Sequence, residues 1–221
     1  MCAIANRPAM AEPAARLETR TGFERAVAFS DGVFAIAITL LVLSINIPML
    51  HRGEKLDHAL SNLSDNIVSY FIGFAVIGLF WVGHHYFFNS IRGFDGRLLW
   101  LNLLYLSFIG LLPFTTALLG DYGNDPTALV AYATNVALAG LADTLMVVVA
   151  LRAKLLEPDV QARGPELIAR NLLPPAVFLA SIPLAYVDTD LAKYSWLLLA
   201  VVPRLLARIG VWRTRDHLMA P

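Results

Sequence analysis

The sequence predicts an all-α integral membrane protein with six transmembrane helices and both termini on the cytoplasmic side. Three observations carry this. Hydrophobic residues make up 57% of the 221-residue chain, charged residues only 15%, and the mean hydropathy is +0.62. The charges are segregated between long apolar runs, which a soluble domain does not do. Of the 17 Lys and Arg residues, only Arg52, Lys55 and Lys193 fall in the loops that alternate topology places outside. The other 14 lie inside, the bias that orients multi-pass proteins.

The expected spans are 26–47, 67–88, 98–119, 128–151, 171–187 and 191–209. Each is long enough to cross a bilayer at 1.5 Å per residue. The fifth is short and holds Pro174, Pro175 and Pro183, which break helical hydrogen bonding. Residues 1–20 are expected to form a flexible cytoplasmic tail, 21–212 the membrane domain and 213–221 a second cytoplasmic tail. Acids and prolines before the first run argue against a cleaved leader. The loops leave no room for a separate soluble domain. Cys2 is the only cysteine, so neither a disulfide framework nor a thiolate metal site is expected.

The first span opens with Arg25, Phe29, Ser30 and Asp31, and nothing charged follows within it. A charged group inside a spanning helix is costly, so it marks a functional site by default. At 100° per residue, Ile36, Leu40, Leu43 and Ile47 share one stripe, with Thr39 at its edge. Asp31 lies roughly 140° from Ile36 on the same wheel. The helix therefore has an apolar face with one hydroxyl and a polar cluster turned elsewhere. Taken alone, the apolar face is ordinary lipid contact.

The second span ends with Trp81, His84 and His85, and the third begins with Trp100 and Asn102. Three helices thus place polar side chains in one layer with Arg25, Ser30 and Asp31. A buried hydrogen-bond network holding the first helix is the expected result, since lone polar groups in hydrocarbon go unsatisfied. Adjacent histidines point about 100° apart and do not chelate together, and no ligand spacing for a metal is present. In the fourth span Asp143 reads either as a buried, satisfied acid or as a proton or cation relay.

Other sites fail on inspection. Residues 115–123, TTALLGDYG, lack the order of a carbonyl selectivity filter and read as a turn before Asn124, Asp125 and Pro126. No arginine ladder, nucleotide loop, nucleophile elbow or zinc-binding HExxH is present, so no enzyme is expected. The two halves show no repeat of the kind seen in many carriers.

The pattern Arg25-x-x-x-Phe29-Ser30-Asp31 at the start of the first span resembles the signature of the transmembrane protein 175 family of potassium-permeable channels. The resemblance continues through Trp81-x-x-His84, Asn102 and Pro113-Phe114 and covers roughly residues 20–120. The later helices match only in number and length. It implies a homotetramer of bacterial-type six-helix subunits in the plasma membrane, with the first helix lining a central pore. It also implies a constriction built from apolar side chains, with Ile36 as the narrowest ring and Thr39 and Leu43 in the next layers. Leu40 and Ile47 extend that stripe. Arg25, Phe29, Ser30, Asp31, Trp81, His84 and Asn102 would then be a scaffold. Potassium, and other monovalent cations, would be the permeant species, with no cofactor, resident metal or nucleic-acid partner. The competing reading is a proton-coupled secondary transporter using Asp31 and Asp143.

Overall fold

The computed structural model describes residues 11–45, 56, 63–199 and 201, with side chains described from residue 21 onward. Helix α1 spans Ala11–Leu40 and tightens into a 3₁₀ turn over Leu41–Ser44. It is followed by α2 (Ser64–Asn89), α3 (Gly96–Asp121) and α4 (Pro126–Arg152). A short α5 (Pro158–Ala162) leads into α6 (Gly164–Ala185), and α7 (Thr189–Ser195) ends the described helices.

Among the described residues five helices are long and apolar enough to cross a membrane: Thr21–Ser44 and the whole of α2, α3, α4 and α6. The chain is a multi-pass membrane protein. The expected sixth span, 191–209, is described only at its start, where α7 runs for 7 residues. Residues 200 and 202–209 of that span, and the tail 213–221, lie outside the described residues.

Two expected boundaries shift. The fifth span begins at Gly164 rather than 171 and runs 22 residues, long enough to cross. Pro165 sits at its first turn, where a missing N–H costs nothing. Pro174, Pro175 and Pro183 lie inside the helix without ending it. At the other end of the chain, the helix is already formed at Ala11, so the stretch 11–20 assigned to a flexible tail is helical. Its sequence, AEPAARLETR, is rich in strong helix formers, and Pro13 falls in the first turn.

The turns are built by local chemistry. Asp95 caps α3 by accepting from the Leu98 amide at 2.9 Å, and Asp125 caps α4 by accepting from Thr127 at 2.7 Å. Asp188 accepts from the amides of Asp190 and Leu191 at the start of α7. The connections after α2 and α4 are stitched together at one end of the bundle. There the Arg92 amide donates to Leu155 O at 2.8 Å and the Glu157 amide to Ser90 O at 2.9 Å. The Arg92 guanidinium adds a salt bridge to the Glu157 carboxylate.

Helix α3 is the hub, packing on α1, α2 and α4, while α4 packs along α6. Phe34, Ile77, Tyr105, Leu112, Tyr132 and Met146 fill the shared core. Glycines set two of the closest approaches. Gly73 of α2 faces Thr116 of α3, and Gly140 of α4 lies against the Pro175 ring, so a Cβ there would meet Pro175 Cδ at 2.9 Å. Helix α1 lies at the edge of this arrangement, held by α2 and α3 alone among the long helices.

Candidate functional site

Helix α1 buries one face and leaves the other open. Ala26, Ser30, Phe34, Ala37 and Leu41 are all under 9% exposed, at the four- and three-residue spacing of one helical stripe. On the opposite side Ala28, Gly32, Ala35, Ile36, Thr39 and Leu43 are exposed. Ile36 is 60% exposed and Leu43 71%.

The buried face is fixed by a directed chain of hydrogen bonds. The Ser30 hydroxyl donates to Ala26 O one turn back, at 2.9 Å. It accepts from Asn102 Nδ2 of α3 at 2.9 Å. Asn102 Oδ1 in turn pairs with His84 Nε2 of α2, also at 2.9 Å. With the amide nitrogen committed to Ser30, the amide oxygen must accept, so His84 carries its proton on Nε2. All three side chains are at most 2% exposed. One short network thus joins α1, α2 and α3 where water cannot compete for the bonds.

Aromatic packing reinforces the same contact. The His84 ring stacks on Phe88 at 4.2 Å and on Tyr105 at 5.7 Å, and Phe34 of α1 lies 5.5 Å from it. A second link forms at the edge of the network, where the Trp81 indole N–H donates to Asp31 Oδ1 at 2.9 Å. Trp81 itself stacks on His85.

The structure therefore brings together Ser30, Asp31, Trp81, His84 and Asn102, in two separate groups rather than one. Arg25 and Phe29 are not part of either. Arg25 is exposed with no hydrogen bond or ion pair among the described residues, and Phe29 is 56% exposed. Phe34, absent from the sequence motif, is the residue that reading missed. It lies four positions after Ser30, so the same helical spacing that defines the network's face includes it.

The stripe on the other side behaves as one surface. Ile36, Thr39, Leu40 and Leu43 are all exposed, and the Thr39 hydroxyl donates to Ile36 O at 2.8 Å. Ile47 lies outside the described residues. Asp143 of α4 keeps one buried carboxylate oxygen without a hydrogen-bond partner. Among the described residues no three His, Cys, Asp or Glu side chains converge as metal ligands.

Residues 25–113 match the family described as endosomal/lysosomal potassium channel TMEM175. A potassium channel of Streptomyces collinus is 45% identical over 98 residues, 44% of this chain and 48% of that protein. The human endosomal/lysosomal proton channel TMEM175 is 42% identical over 98 residues, 41% of this chain and 19% of its own length. The chain thus spans about half or less of the curated relatives named here. The fold extends further: the crystal structure of a lysosomal potassium-selective channel TMEM175 homologue from Chamaesiphon minutus superposes with a TM-score of 0.72. That match covers 84% of this chain and 97% of that one at 29% identity. Over residues 25–113 the chain is similar to the TMEM175 family, and its fold is that of the Chamaesiphon minutus homologue.

Proposed function

We propose that this protein is a potassium-permeable cation channel of the plasma membrane, a homotetramer with cytoplasmic termini in which α1 of each copy lines a central pore. The carrying observation is the division of α1 into a locked face and an open one. Ser30 and Phe34 hold the helix against α2 and α3, while Ile36, Thr39 and Leu43 face away from the rest of the chain. Closed cyclic assembly turns such a face towards an axis. A ring of four Ile36 side chains forms a constriction that excludes water until the helices part or the ring is wetted. The Thr39 hydroxyls supply weak oxygen ligands next to it. Selectivity for potassium over sodium is then limited, because no dense carbonyl cage is present. The path needs no cofactor.

The relatives' names support an ion path and differ in the ion, potassium in one and protons in the other. A proton-coupled carrier is the second reading, favoured by the unpartnered oxygen of Asp143. Against a relay between Asp31 and Asp143, their helices α1 and α4 do not pack along one another.

Potassium flux from liposomes holding the purified protein tests both. Ile36→Asn is expected to raise flux or lower selectivity, since a polar ring hydrates the constriction, while Asp143→Asn leaves passive flux in place. Unchanged conductance and selectivity in Ile36→Asn removes Ile36 from the path. Flux that saturates, follows a pH gradient and disappears in Asp143→Asn establishes the carrier.

A further inference from the structure

At the end of the bundle opposite Arg92 and Glu157, the start of α2, the end of α3 and the start of α7 enclose a cavity of about 730 Å³. That is within the range of about 300–1,000 Å³ typical of small-molecule sites. Among the described residues four carboxylates line it, Asp65, Asp121, Asp125 and Asp190, against one ammonium, Lys193, which is paired to Asp190 at 2.9 Å. An excess of one sign around a cleft concentrates counter-ions there. Asp125 stays ionised, because the Thr127 backbone N–H holds its carboxyl below the usual carboxylate range.

Acidic residues at a helix end are common and by themselves say little. A second, independent feature lies deeper. Ser69 also lines the cavity, is only 7% exposed, and has no hydrogen-bond partner among the described residues. Its oxygen is not fully sealed, on a residue that lines the cavity. A buried hydroxyl in a helix normally bonds to the carbonyl four residues back, as Ser30 does here. Ser69 makes no such bond, so its hydroxyl is available to a group in the cavity.

The chemistry of the walls selects the occupant. Among the described residues the acids are dispersed: no three of them, nor any His or Cys with them, converge closely enough to hold a bare metal ion. Between them lie the apolar side chains of Val68, Ile72 and Leu119, and Trp196 closes one side. Alternating apolar and anionic wall fits a chain of methylenes punctuated by ammonium groups. We propose that this cavity binds a small organic polycation, an alkyl polyamine, with its ammonium groups on Asp65, Asp121 and Asp190 and on the Ser69 hydroxyl.

The test uses the intact protein in nanodiscs of purely zwitterionic lipid, which removes anionic headgroups as competing sites, titrated calorimetrically with spermidine. Saturable binding is expected, weakened about tenfold or more in Asp65→Asn/Asp190→Asn as charge-assisted bonds are lost, and about threefold in Ser69→Ala. Asp159→Asn, at the other end of the bundle, is expected to change nothing. Ser69→Ala leaves every described hydrogen bond intact, so it decides the matter if the double variant fails to fold. No saturable binding to the wild type, equal binding in a folded double variant and in Ser69→Ala, or tighter binding of magnesium than of spermidine at the same residues overturns the proposal. The readout is binding, so it stands apart from whether the protein conducts.

Discussion

Asn102 is the residue on which the placement of α1 turns, because both ends of its amide are in use. Replacing it with leucine keeps the volume but strands His84 Nε2–H and the Ser30 oxygen in a dry layer. A stranded buried group costs about 1–3 kcal/mol, so Asn102→Leu is expected to destabilise by about 2 kcal/mol or more. Ser30→Ala removes one interhelical bond and frees one amide hydrogen, for which a cost of about 0.6–1.7 kcal/mol is typical inside membranes. Thermal unfolding of the two single variants and their double variant measures the coupling. The chain of bonds requires the double variant to cost less than the sum of the singles. Strict additivity means that the residues act independently. Asp31→Ala should cost less than Asn102→Leu, since its partner Trp81 is 38% exposed and both can turn to other partners.

At the scale of elements, the packing of α4 on α6 depends on a rigid contact. A methyl group on Gly140 meets the Pro175 ring at 2.9 and 3.2 Å, and a proline ring has no rotamer to yield. Gly140→Ala is therefore expected to lower stability by about 1–3 kcal/mol, the range for overpacked cores. Gly32 gives the contrast, since nothing lies within 4 Å of a Cβ built there. Gly32→Ala should leave the stability of the single chain unchanged or slightly raised. A fall in stability equal to that of Gly140→Ala would mean that α1 packs differently. The tie between the loops after α2 and α4 carries a pH dependence of known sign. The hydrogen bond from Arg92 holds the Glu157 carboxyl below its ordinary value. The contribution is thus fully present above that ordinary value and lost as pH falls through the lowered one. Amide exchange at Glu157, corrected for its intrinsic rate, is expected to be flat near neutrality and to rise in acid. Arg92→Gln should abolish the acid step.

These elements also show what the sequence could and could not reveal. The runs that became α2, α3 and α4 were legible to within about three residues at most ends, because apolar length and aspartate caps report directly on helices. The network residues Ser30, His84 and Asn102 were legible as a layer, because antiparallel helices bring the end of one span level with the start of the next. Their grouping was not. Whether Arg25 joins that layer depends on which way its side chain turns, and spacing places only the backbone. The start of α6 is expected at 171 because the apolar run begins there, whereas the helix runs back through Arg170 and Glu166 to Gly164, and Pro174 and Pro175 do not end it. Inside a packed helix, the neighbouring α4 offsets the lost backbone bonds.

For the whole molecule, the open face of α1 poses a question that exposure alone does not answer. In lipid, exposed Ile36 and Leu43 incur no penalty, because acyl tails are as apolar as they are. The residues that argue for company are the small ones: Ala28, Gly32 and Ala35 share the open side with Ile36. Small residues let helices approach closely, and membrane interfaces are enriched in them. Thr39 adds a hydroxyl that lipid cannot partner beyond its bond to Ile36 O. If this side faces three other copies around an axis, native mass spectrometry in mild detergent should give four times the 24.2 kDa chain mass. Potassium flux should then disappear when the assembly is dissociated, and with it any effect of Ile36→Asn. A protein that runs as a single chain, conducts fully and still responds to Ile36→Asn would place the path inside one bundle. Such a path would have to run between α1 and its neighbours, where Ser30, Phe34 and Leu41 leave no space. The closed packing of that face is the reason the path is expected between copies.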